Sequence, residues 1–259
     1  MPWKQKYSPK HTPAVALSNL LNFCEDIIKE ESDKPSRSQV YTVIKMLTDK
    51  ILHQHSLSII HGKEYQAQGY GDNMGFYKLL GVSRDNKDLF PKVQSKVKLM
   101  ELENRCITIR LATDPVLSKV YEKKKIASKV ATVGTPANPW KEDTINHMAT
   151  LYLPLGVTFV SNGNHSVLSG ILKRQGTLLI TETSQHQVKS IGNLLRYMYF
   201  DGANYREIVG DKYLFKGNSF EFGCIFEIGR LLEKHRLSFV PRKLEWKKSG
   251  STCPEVGIV

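Results

Sequence analysis

Val157-Thr-Phe-Val-Ser-Asn162-Gly163-Asn164-His165-Ser166-Val-Leu-Ser-Gly-Ile-Leu172 decides how this chain is read. Its opening residues are β-branched or aromatic, the composition of a strand. Its closing residues place Val167, Leu168, Ile171 and Leu172 at helical spacing. Gly163, between the two, permits a backbone angle that other residues avoid. A strand that turns into a helix within so few residues marks an α/β core. Upstream, Leu151–Leu153 and Val157–Val160 flank Pro154-Leu-Gly156 and read as a hairpin. Downstream, Gly176 ends the helix and Leu178–Thr181 forms the next strand.

The same stretch supplies the candidate site. The first N–H groups of a helix lack partners within it, and the helix dipole makes that end electropositive. Phosphate, sulfate or carboxylate binds well there. Asn162, Asn164 and Ser166 add hydrogen-bonding side chains, Gly163 allows close backbone approach, and His165 can carry a proton near neutral pH. A helix N-terminus favours the neutral imidazole. A plain structural reading fits the same residues, because Asn and Ser cap helices and Gly makes turns.

Before this region the chain reads as mainly helical. Thr12-Pro13 opens a helix carrying Leu17, Leu20, Leu21, Cys24, Ile27 and Ile28. Ser36 and Gln39 form a capping-box pattern before a second helix with Val40, Ile44, Leu47 and Ile51 on its apolar face. A third is expected near Pro91, carrying Val93, Val97 and Met100. Residues 62–81, rich in Gly, Tyr, Asn and Asp, read as an irregular connection. Cys106–Leu111 alternates as a strand. Asp114-Pro115 is expected to open a basic helix through Lys125, Lys129–Gly134 to form a strand, and Trp140–Thr150 to hold a short helix. After the signature stretch, a helix over Gln187–Tyr197, strands within Met198–Phe215 and an amphipathic helix over Phe220–His235 complete the reading. The expected class is therefore α/β (α+β), a mixed sheet with flanking helices. A helical region over 1–104 precedes an α/β core over 105–248 and a loose tail over 249–259. The helical part fits equally well packed on the sheet as one domain.

Composition narrows the function classes. The 259 residues, 41% of them apolar, suffice for a full core. The four cysteines are scattered, which argues against a disulfide framework or a cysteine-rich zinc site. The basic N-terminus lacks the apolar stretch of a signal peptide, and no run has the roughly 18 apolar residues of a spanning helix. A cytoplasmic protein without a membrane partner is expected. Lys plus Arg is 37 against 25 for Asp plus Glu, a formal charge of +12. Lys119, Lys123, Lys124, Lys125 and Lys129 cluster with only Glu122 opposing them. Such a field attracts nucleic acid, or it is a solvated face that keeps the protein in solution.

The Gly163-Asn164-His165 turn, followed by the small and apolar Leu168, Ser169 and Gly170, resembles the signature turn of the ParB/sulfiredoxin-like superfamily. Pro136-Ala-Asn138-Pro139-Trp140 is similar to the Asn-Pro box that precedes that turn in partition proteins. The resemblance covers residues 136–172. It implies a bound nucleotide or nucleic acid, and nuclease or nucleotide-hydrolase chemistry in a mobile-element or defence setting. His165 would act as the proton-transfer or phosphate-contacting residue, Asn164 as the orienting group. The family's usual Arg is Ser166 here, so Lys141, Lys173 or Arg174 would have to replace its charge. A non-catalytic interaction module using Lys123, Lys124 and Lys125 is the alternative.

Other constellations carry less. His53, His55 and His61 near Glu64 converge on a metal only if their helix ends early, because positions two apart face different ways. No metal site is expected, and the sequence specifies no cofactor. Tyr197, Tyr199, Phe200, Tyr205, Tyr213 and Phe215 read as the buried face of a sheet.

Overall fold

The computed structural model describes residues 12–31, 37–63, 75–102, 106–181 and 185–240. Thr12 caps α1 (Pro13–Glu30) by accepting from the Val15 amide, as the Thr-Pro pair predicts. The second helix, α2, runs Val40–Ile60 with Gln39 at its N-cap position and no side-chain cap bond, and the Ser36 expected to cap it lies outside the described residues. The short helices α3 (Gly75–Leu80) and α4 (Leu89–Ser95) follow. Here the expected third helix stops early. Val97 lies beyond α4, and Met100 belongs to a strand, β1 (Lys98–Met100).

A five-stranded mixed sheet forms the centre, in the order β1-β7-β4-β5-β3. Its members are β3 (Val116–Ser118), β4 (Met148–Leu153), β5 (Val157–Asn162) and β7 (His186–Ser190) beside β1. The hairpin is present, with β4 antiparallel to β5. The pairings on either side of the hairpin are parallel: β3 lies on β5, with Leu117 opposite Phe159, and β7 lies on β4, while β1 closes the far edge antiparallel to β7. Ala149, Thr150, Leu151 and Tyr152 are buried in succession, as suits a central strand covered on both faces. Two smaller sheets stand apart, β2 (Ile107–Arg110) with β6 (Thr177–Ile180), and β8 (Met198–Phe200), β9 (Asn204–Glu207) and β10 (Tyr213–Lys216). The aromatic alternation at 197–215 is thus largely sheet, with Phe200, Tyr205 and Phe215 buried.

The remaining helices are α5 (Lys123–Thr132), α6 (Asn164–Leu172), α7 (Gly192–Tyr197) and α8 (Phe220–Lys234). Helix α8 packs against α1, α2, α3 and α7. Phe76 of α3 stacks on Tyr152, and Phe222 of α8 closes edge-on against Phe76 and Phe159. The N-terminal helices and the sheet therefore share one apolar cluster. No helix among the described residues is long and apolar enough to cross a membrane.

Four expectations are corrected where tertiary contacts outweigh local preference. Asp114 does not open a helix: its buried carboxylate takes Arg37 at 2.9 Å and the Arg110 amide at 2.7 Å, and the chain continues as buried β3. The helix begins instead at Lys123 and absorbs the strand expected at Lys129–Gly134. Asp143 caps a tight turn by accepting from the Ile145 and Asn146 amides, so Met148 starts a strand where a helix was expected. Likewise Gln187 lies in β7, and only Gly192–Tyr197 is helical.

Glu227 on α8 accepts from the Phe200 amide at 2.7 Å and pairs with Arg230 at 3.1 Å. Burial pushes its carboxyl up to about 7. A raised carboxyl stabilises the fold fully below its unfolded value and loses that contribution as pH rises through 7. Glu227→Gln should therefore remove a decline of about 3 kcal/mol between pH 4.5 and 7 relative to the parent protein, measured by urea unfolding across that range.

Candidate functional site

Helices α5 and α6 follow the C-terminal ends of two neighbouring parallel strands, β3 and β5, the place where open α/β sheets present ligand crevices. Their contacts give their relative direction. Near the start of α6, the His165 ring packs edge-on against Tyr121, just before α5, at 4.7 Å. Near its end, Ser169 Oγ lies 3.1 Å from the Lys129 carbonyl and 2.9 Å from that of Val133, and the Lys173 ammonium donates to Val133 O at 2.6 Å. The two helices thus run side by side in the same direction, with both N-termini at one end.

Each terminus leaves donors open. The first amide of α6 to find a helical acceptor is Val167, bonded to Gly163 O, and in α5 it is Ile126, bonded to Glu122 O. Among the described residues no protein group accepts from the amides of 164–166 or 123–125. Gly163 and Glu122 occupy the N-cap positions without a capping side-chain bond. Two aligned dipoles ending together reinforce one another's positive end. Lys123 and Lys124 are exposed in the first turn of α5, and Lys125 pairs with Glu122 at 2.9 Å while lying over the Tyr121 ring.

The turn is built from within. Gly163 has φ +76°, the left-handed region, and a Cβ there would come within 2.1 Å of the His147 ring. The close approach that this glycine permits is therefore to His147. His147 Nδ1 accepts from the Asp143 amide at 2.9 Å, so its proton sits on Nε2, which donates to Ser166 Oγ at 2.7 Å. Ser166 Oγ donates onward to Gly163 O at 2.9 Å. Serine and histidine meet here without a nucleophilic triad: the Asp143 backbone amide, not its carboxylate, bonds the ring, so the imidazole gives a proton to the serine bond and cannot remove one. Burial holds His147 below its ordinary value despite the opposing Asp143. Trp140 stacks on His147 at 5.2 Å and donates from its indole to Ser166 O at 2.9 Å.

The family model for DUF6710 matches residues 2–239. The chain belongs to that family, one of unknown function. No curated protein and no solved structure matches it.

The other residues singled out from sequence fall in different places. Asn164 Oδ1 takes the Lys119 amide at 2.5 Å, pinning the end of β3 to the start of α6. His165 is 8% exposed, its Nε2 has no partner, and burial followed by the Lys125 charge pushes its pKa down. Asn162 is exposed at the end of β5. Asn138 and Lys173 sit at the far end of α5, where Asn138 Nδ2 donates to Thr132 O at 2.8 Å beside the Lys173–Val133 bond. Both satisfy C-terminal carbonyls of α5, roughly 15 Å of helix away from its lysine-bearing first turn. Of the Asn-Pro-Trp segment, only Trp140 reaches the turn. Lys141 and Arg174 are exposed, the latter with φ +56°. His55 donates to Val120 O at 2.7 Å, because α2 stays helical past it, and His53 is exposed on another face.

Sequence reasoning missed His147, Trp140 and Asp143 as partners of the turn, and also His186. The His186 ring bonds the His147 backbone and lies 3.7 Å from Glu142, whose carboxylate is raised chiefly by burial. No periodicity announces these partners, since they converge through strand pairing. Gly163→Ala should cost about 2–4 kcal/mol in urea unfolding, combining left-handed strain with collision against His147. Ser166→Ala should cost about 1–2 kcal/mol, because it leaves the buried His147 Nε2–H unsatisfied.

Proposed function

We propose that the paired N-termini of α5 and α6 bind the phosphate of a nucleotide or nucleic acid in the cytoplasm. The observation that carries this reading is the parallel placement of the two helices, which aims two sets of unaccepted amides and the first-turn lysines at one end. One helix start binds an anion modestly, whereas two starts with added ammonium groups make a stronger positive field. His165 Nε2 is buried beside them, so the ligand contacts fall to the open amides and the first-turn lysines. The ParB/sulfiredoxin-like resemblance of residues 163–165 supports the same ligand class, with Lys123 and Lys124 supplying charge that Ser166 does not.

Binding is the role this arrangement supports, ahead of hydrolysis. His165 is neutral and enclosed, and His147 is committed as a donor to Ser166. Neither is placed as a base for an attacking water or hydroxyl. The lysine-based interaction module and the phosphate site become one surface in this reading.

Charge reversal at Lys123, Lys124 and Lys125 together leaves the core untouched, since all three side chains are exposed. It should weaken binding of a short DNA duplex by about a hundredfold and lower the log–log salt slope by about 2–3, measured by fluorescence anisotropy. A nucleoside triphosphate at about a hundredfold excess over its Kd should raise the unfolding free energy by about 2.7 kcal/mol, and this gain should vanish in the same variant. Unchanged affinity, slope and stabilisation would reject the site.

A further inference from the structure

Tyr121, the residue before the N-cap of α5, is 46% exposed although its neighbours hold it in place. The His165 ring of α6 packs edge-on against it at 4.7 Å and 75°. The Lys125 ammonium, paired with Glu122, lies 5.3 Å from the ring centroid and donates to the hydroxyl. These contacts come from the first turn of each helix, so the ring stands where the two helix starts meet. Its orientation is fixed while ring surface stays open, which is the form of a stacking platform. On another side of the α6 start, the turn capped by Asp143 puts Ile145 into solvent, 77% exposed. The next carbonyl, that of Asn146, lies 3.2 Å from the Cβ position at Gly163, which places this turn against the start of α6. The phosphate surface is thus flanked by two exposed apolar side chains that phosphate contact alone does not require. Lys129, also exposed, carries positive charge past the first turn of α5.

We propose that the ligand of this surface is single-stranded nucleic acid, with an unpaired base stacked on Tyr121 and its phosphate at the helix starts. The inference rests on the phosphate reading above and narrows it. In a duplex the bases stack on one another and show only their edges in the grooves, so a ring beside the phosphates finds no base face. In a single strand the base next to a phosphate can turn outward, and every base offers a flat face to an aromatic ring. The bond between the Tyr121 hydroxyl and Lys125 does not compete, because stacking uses the face of the ring. Ile145 gives a neighbouring base an apolar contact. Exposed Lys123, Lys124 and Lys129 neutralise successive phosphates, so a strand matches the surface better than a mononucleotide does. Recognition by stacking and charge carries little sequence preference.

The test uses the full chain and four probes in fluorescence anisotropy: an oligothymidylate of about ten nucleotides, an abasic strand and a duplex of equal length, and thymidine monophosphate as competitor. Oligothymidylate should bind about tenfold more tightly than the abasic strand or the duplex, and the mononucleotide about a hundredfold more weakly. Tyr121→Leu keeps an apolar contact for His165 but removes the flat face. It should lower oligothymidylate affinity about tenfold and leave the abasic strand and the duplex within about twofold. Tyr121→Trp should bind oligothymidylate at least as tightly as the parent, with the added indole quenched on binding. The proposal is overturned if the abasic strand or the mononucleotide binds as tightly as oligothymidylate, or if Tyr121→Leu weakens none of the strands or all of them alike. Should Tyr121→Leu fail to fold, equal affinity of the parent for the base-bearing and abasic strands overturns it by itself. Charge reversal at Lys123, Lys124 and Lys125 should weaken all probes together. If that variant weakens them and Tyr121→Leu changes nothing, the stacking inference alone falls, whereas unchanged binding in the charge-reversal variant removes the phosphate reading beneath it.

Discussion

The imidazole of His147 occupies the space in which any side chain at position 163 would have to sit, and the geometry of the turn depends on that contact. With a glycine there, the backbone takes its left-handed angle, β5 ends, and α6 begins directly over the sheet edge. The ring is held from both sides, by the Asp143 amide on Nδ1 and by Ser166 Oγ on Nε2. Trp140 covers its face and reaches Ser166 O. The Trp140 ring needs room too: a Cβ on Gly176 would fall 2.1 Å from it, so a second glycine leaves space for the indole as Gly163 does for the imidazole.

This arrangement sets the direction of α6, and α6 in turn sets that of α5. Ser169 and Lys173 bind carbonyls at the end of α5, while His165 meets Tyr121 just before its start. Satisfying the C-terminal carbonyls of α5 from α6 requires the helices to run in parallel. Two parallel dipoles repel, an electrostatic cost that packing offsets and that a bound anion would relieve. The structural roles of Lys173 and Asn138 and the open amides at the other end are thus two consequences of one arrangement.

Much of the architecture was legible along the chain. The hairpin before residue 157, the turn at Gly163, the helix after it and the final amphipathic helix all follow from local periodicity and turn chemistry. The failures have a common cause. Residues 115–118 and 129–134 are short runs that suit strand or helix alike, and burial beside β5 or packing on α6 chose between them. Asp114 has the features of a helix cap, yet a cation 77 residues earlier in the chain makes it the buried half of an ion pair. At the candidate site, the cap residues and first-turn lysines were readable because helix starts have a local signature. His147 and Trp140 as its supports were not, because strand pairing brings them together.

The sequence by itself determined a basic α+β chain with a glycine-hinged passage from strand to helix and a lysine cluster nearby, since each depends on neighbours within a few residues. Tertiary structure alone decided that the two helix starts lie together, that Asn138 and Lys173 serve the opposite end of α5, and that the His147 proton points at Ser166. Those outcomes depend on the relative direction of elements and on which donor meets which acceptor. Such quantities are defined only once distant segments are packed.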